Sequence, residues 1–275
     1  DARSLPRPRT REGRSTRVLT VPGERNFVVC LLRSSVHIGC GVNEFWDRIS
    51  AVSPDPPVWI VQVAALAALV IVALPQTWRI ARNVVTIAHE GAHLFVALIT
   101  GRQLMGLRLH SDTSGVAISK GKPTGLGVIA MTFAGYVGPS LLGLGAAFVL
   151  GTQHAVAVLW IGVVSIALML LMIRNIYGLL SLVVVGAALF VVSWWGTGEQ
   201  QVAAAYFITF FLLIAGPRPV LELQKSRSAG RARDSDADQL ARLTFLPGIV
   251  WVGLFLLVTV GSLALGAWRI LVPVQ

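Results

Sequence analysis

Five consecutive residues, His89-Glu90-Gly91-Ala92-His93, combine side chains and spacing that can do hydrolytic chemistry. On a helix, residues four apart share a face, so both imidazoles can be presented to one metal ion. Glu90 is rotated by about 100° from His89 and can reach a metal-bound water as general base. Zinc suits this set. Two imidazoles and one further ligand leave a fourth position open for water, whose pKa falls to about 7 on the metal. The competing reading is a polar cluster that glues two helices together. It accounts for one buried polar residue but poorly for three at metal spacing.

The surroundings sharpen the point. Of 275 residues, 55% are hydrophobic and 13% charged, about half the roughly 25% charge of a soluble domain. That balance argues against a soluble enzyme, a disordered chain and a disulfide scaffold. It fits an all-α polytopic membrane protein. Between Val58 and Gly216 the only acids are Glu90, Asp112 and Glu199, and Glu90 alone falls inside an apolar run. An ionisable side chain at membrane depth costs a few kcal/mol and asks for a function.

Seven apolar runs reach spanning length: about 58–75, 79–100, 126–151, 154–173, 176–196, 200–216 and 244–270. Each is expected to be a helix, because lipid offers backbone groups no partner. Between the second and third, Leu107, Leu109, Val116 and Ile118 alternate around Ser111-Asp112-Thr113-Ser114-Gly115, which predicts a small cytosolic β-hairpin over 104–119. Residues 1–57 are Arg-rich and irregular and read as a disordered cytosolic tail, which carries no functional argument. Cys30 and Cys40 fit no metal or redox pair.

With that tail in the cytosol, all of the 23 Lys and Arg except Arg79, Arg82 and Arg269 fall on the cytosolic side. This bias predicts a cytosolic N-terminus and a C-terminus across the cell membrane. The net charge of +10 is thus an orientation signal and a contact with the lipid bilayer, with no nucleic-acid partner implied.

The chain resembles the membrane-embedded zinc metalloproteases of the site-2 protease class, the peptidase M50 family, and is similar above all to their M50B-like branch. The resemblance rests on A-H-E-G-A-H at residues 88–93, A-G-Y-V-G-P-S at 134–140, R-N-I-Y-G at 174–178 and D-S-D-A-D-Q-L-A-R-L-T at 234–244. It covers the chain from about residue 75, making residues 58–275 a transmembrane metallopeptidase-like domain. It implies a third zinc ligand, an aspartate from a later segment. The N-P-x-x-D-G form of that segment is missing here, and the similar S-D-A stretch suggests Asp236, with Asp234 and Asp238 in reserve. Asp236 also reads as a helix N-cap, with Gln239 three residues on. A calcium loop from Asp234 fails, because its sixth position is Gln239 and its twelfth Phe245.

The expected activity is zinc-dependent intramembrane endopeptidase cleavage of a transmembrane or membrane-anchored protein. Its metal ligands would be His89, His93 and Asp236, and its base Glu90. The hairpin edge could pair with an unwound substrate strand. Gly138 and Pro139 could open a kink for substrate, and Asn175 could bind its backbone. Two other classes remain: a non-proteolytic zinc-binding membrane protein, and a metal or proton transporter. The transporter would call for interrupted helices in related halves, and no internal repeat is evident.

Overall fold

The computed structural model describes residues 46–272, apart from Arg48 and Arg233. Most of the expected tail, with Cys30 and Cys40, lies outside the described residues. The elements run in the order α1 (Val58–Ala73), α2 (Pro75–Ile99), β1 (Gln103–Leu109), β2 (Gly115–Lys120), α3 (Leu126–Leu150), α4 (Ala155–Leu170), α5 (Ile176–Trp195), α6 (Gly198–Ala215), α7 (Pro217–Ser228), α8 (Asp236–Leu243) and α9 (Gly248–Leu271). The protein is a mostly helical, multi-pass membrane protein with one two-stranded antiparallel sheet.

The expected count of about seven spans is not confirmed. Among the described residues, α3, α5, α9 and the joined α6–α7 run are long and apolar enough to cross a membrane. α1 and α2 qualify only as a pair, bent by 102°. The total is four, or five if that pair counts as one span. The bend has a local cause. Pro75 opens α2, has no N–H to continue α1, and pushes Leu74 into extended backbone (φ −78°, ψ 130°). The expected span at 154–173 shortens to the 16-residue α4, because the chain leaves the helix to pair Ile173 with Leu107 of β1.

The end of α2 redirects the chain into the hairpin. Gly101 takes φ +72°, its N–H bonds Leu98 O (3.0 Å), and the Arg102 N–H bonds Ala97 O (2.9 Å). This is a Schellman closure, in which a glycine accepts the left-handed conformation at low cost. Antiparallel pairing sets Leu107 against Ala117 and Leu109 against Gly115, with a bulge between Leu104 and Gly106.

The hairpin therefore exists where expected, but its apolar residues do not share one face. Leu107 and Leu109 are fully buried, whereas Val116 is 49% and Ile118 40% exposed. The register gives the inward positions of β2 to Gly115 and Ala117. A shift of one residue exchanges the faces of a strand, and large side chains have no room on the inward side, as the site geometry makes clear.

The far edge of β1 is closed by the α4–α5 connection. The Leu107 N–H bonds Met172 O (2.8 Å), and the Arg174 N–H bonds Leu107 O (2.8 Å). The Asn175 side chain completes the edge. Its amide donates to Leu109 O (2.6 Å) and its carbonyl accepts from Leu109 N–H (3.2 Å). Asn175→Ala would leave both part-buried backbone groups of Leu109 unpaired, at about 1–3 kcal/mol. Faster hydrogen exchange at Leu109 in that variant, with α3 unaffected, is the expected result; unchanged exchange would show that the clamp is dispensable.

Candidate metal centre

His89, Glu90 and His93 lie on the half of α2 that packs along α3. Small residues make that approach possible. A Cβ built on Gly138 would run into Ala92, and one built on Gly135 would overlap the His93 ring and meet His89 Cε1 at 2.7 Å. Gly138 is therefore a helix-contact residue, buried between α2 and α3. α3 continues helically through Pro139, which borders the site cavity.

The His93 ring is held from behind. Its Nδ1 lies 2.7 Å from Met131 O. A carbonyl can only accept, so Nδ1 carries the hydrogen and Nε2 presents a bare lone pair. This is the arrangement in which a second partner orients a metal-ligating imidazole. The His89 ring packs edge-on against Tyr136, at 4.8 Å between centroids, and Tyr136 stacks on Phe255 at 5.0 Å.

Asp236, 143 residues after His93 in the chain, completes the group. Its Oδ2 lies 3.3 Å from His89 Nε2 and 3.3 Å from His93 Nε2, and the two Nε2 atoms are 3.1 Å apart. At zinc-to-ligand distances of 2.0–2.2 Å, a tetrahedron places its ligands about 3.3 Å from one another. Three electron-pair donors thus form one face of a tetrahedron of the right size for zinc. Oδ2 is buried with no hydrogen-bond donor assigned to it, which also fits a cation.

The three candidate aspartates part company here. The Asp234 side chain is 92% exposed beside Arg242, and Asp238 turns to Arg227 at 2.5 Å; only Asp236 faces the imidazoles. The capping expectation is corrected by one residue. The N-cap of α8 is Ser235, whose hydroxyl accepts from Asp238 N–H, and Asp236 is the first helical residue.

Glu90 sits beside the donors, buried, with Oε2 unpartnered. The hairpin closes over it. A Cβ on Gly115 would lie 2.6 Å from Glu90 Cγ and 2.7 Å from Oε1, and the Ala117 N–H faces the carboxylate. This is why β2 keeps its bulky residues on the other face. Thr86 anchors the turn by donating to Thr113 O (2.8 Å). A cavity of about 220 Å³ reaches His89 and Glu90 between Arg82, Ser114, Tyr136 and Pro139.

His89, Glu90, His93, Asp236 and Pro139 are thus brought together, whereas Gly138 and Asn175 serve helix contact and the hairpin edge. Tyr136 and Gly115 were not singled out as site residues from the sequence. The signal available was Tyr136 inside A-G-Y-V-G-P, one helical turn short of Pro139. Nothing local marks Gly115 as more than a turn residue.

Two glycines on α3 give a controlled test. Gly135→Ala is expected to displace both imidazoles and weaken zinc binding at least tenfold, a typical loss when a metal ligand is disoriented. Gly145→Ala, with no atom within 4 Å of the new Cβ, should leave binding unchanged. Equal affinities, measured by competition with a chelating dye, would refute the close approach.

A family model described as Peptidase M50B-like matches residues 62–266, from within α1 to near the end of α9. No curated protein and no solved structure gives a significant match. The matched segment contains both imidazoles, Glu90 and Asp236, and the chain belongs to the Peptidase M50B-like family.

Proposed function

We propose that the protein is a zinc-dependent intramembrane endopeptidase, with His89, His93 and Asp236 as metal ligands and Glu90 as general base. The observation that carries this reading is the convergence of two Nε2 atoms and one Oδ2 atom at 3.1–3.3 Å, beside a buried carboxylate with an unpartnered oxygen. A bound zinc ion would supply a Lewis acid and lower the pKa of the attacking water.

The chain's own groups account for the rest. Glu90 takes a proton from the water as its oxygen bonds to the scissile carbonyl carbon. Glu90 then delivers that proton to the amide nitrogen as the C–N bond breaks. Glu90 is buried, so bulk water reaches it only through the cavity, which strengthens these interactions.

A helical segment hides its carbonyls in backbone hydrogen bonds, so the substrate must be unwound. β1 is closed on its far edge by residues 172–175, and among the described residues no strand pairs with the outer edge of β2. Gly115 and Ala117 lie on that edge beside Glu90. A substrate strand added there would pass the site in extended form. Pro139 would line its path. The substrate is a transmembrane or membrane-anchored protein, and the excess of Lys and Arg in the connections supports a cytosolic N-terminus.

The test uses the full chain in lipid vesicles with transmembrane peptides. Glu90→Gln is expected to keep zinc within a few-fold and to lose cleavage by about 10²–10⁴. Chelation should abolish cleavage and added zinc restore it. Cleavage by Glu90→Gln at the wild-type rate would refute the mechanism. Zinc binding by a wild-type chain that cleaves none of the peptides would favour the non-proteolytic reading.

A further inference from the structure

Asp236 opens a helix of eight residues, and a helix that short does not hold its place unaided. Packing and polar contacts impose the position of α8. Underneath, Ala237 and Leu240 are buried against Val137, Val220 and Phe255. At its C-terminal end, the Thr244 hydroxyl donates to Leu240 O (2.7 Å) and accepts from Trp251 Nε1 (3.1 Å), which ties α8 to α9.

The N-terminal end is held by one guanidinium. Arg227, from α7, donates through one nitrogen to Asp238 Oδ1 (2.5 Å) and to Ser235 Oγ (3.4 Å). Ser235 Oγ in turn donates to Asp238 Oδ2 (2.6 Å). Gly248, opening α9, leaves room for the guanidinium, since a Cβ there would meet Arg227 Cζ at 2.8 Å.

We propose that Arg227 is a positioning residue that selects Asp236 as the third metal ligand. Asp236 and Asp238 project about 200° apart around the helix axis. The rotation of α8 that presents one to the imidazoles turns the other away. By gripping Asp238, Arg227 fixes that rotation and removes the competing carboxylate. It also neutralises an anion two residues from Asp236 that would otherwise repel it. The pairing is partly shielded from water, with 18% of the Arg227 and 23% of the Asp238 side chain exposed.

The inference rests on the metal-site reading above, and its test separates the two. The zinc affinity of the full chain in lipid nanodiscs is measured by competition with a chelating dye, and the visible spectrum of the cobalt-loaded protein reports the ligand set. Arg227→Ala should weaken zinc binding about 10- to 100-fold, as is usual when a partner that orients a ligand is lost. It should also alter the cobalt spectrum. Arg227→Lys, which can still pair with Asp238, should recover most of the affinity.

In an Asp236→Asn background, Arg227→Ala should cost little more, because the ligand it positions is already gone. If Arg227→Ala does not fold, Asp238→Asn replaces it in the same cycle. Wild-type zinc affinity in these variants, or an equal loss with and without Asp236, overturns the role of Arg227 while the site stands. Zinc affinity that survives His89→Ala in the otherwise native chain overturns the site itself, and this proposal with it.

Discussion

Two imidazole nitrogens and one carboxylate oxygen face each other at 3.1–3.3 Å within a mostly apolar bundle. Lone pairs directed at a common point repel unless a cation lies between them, and in a medium of low dielectric that repulsion is poorly screened. The rest of the structure answers to this constraint. Met131 O sets the tautomer of His93, Tyr136 backs His89, and Asp236 approaches from a segment that packs against α3, α7 and α9.

Space is the second condition, and glycine supplies it at three points. Gly135 and Gly138 let α2 and α3 approach until imidazoles and methyl groups touch backbone, and Gly115 lets the hairpin close over Glu90. Helix contacts inside membranes favour such small residues, because close packing rather than burial from water drives association there. The hairpin gains rigidity from the other side, where residues 172–175 extend the sheet and Asn175 caps its edge.

The carboxylate-bearing segment is positioned through α7. Trp78 Nε1 donates to Glu222 (2.8 Å), and Arg218 donates to the same carboxylate (3.2 Å) while its guanidinium lies 4.6 Å from the Trp78 ring centroid. These partly exposed contacts are individually modest. Together they register α7 against the helix that carries the imidazoles, and Arg227 at the far end of α7 passes that register to α8.

The membrane class, the helical runs, the hairpin and the His89-Glu90-His93 triad were legible in the sequence, because composition, apolar length and i, i+4 spacing are local properties of a chain. The span count was not. Whether Pro75 joins or separates two helices, and whether 154–173 stays helical, depends on what those segments meet. α7 fell between the expected spans and α8 was marked only by its cap, since their apolar faces, Val220 with Leu223 and Ala237 with Leu240, are narrow and are recognised only against α3 and α9. The choice among Asp234, Asp236 and Asp238 belongs to tertiary structure for the same reason. Three carboxylates of equal chemistry within five residues differ only in direction, and direction is set by the packing of α8 and its hold on Arg227.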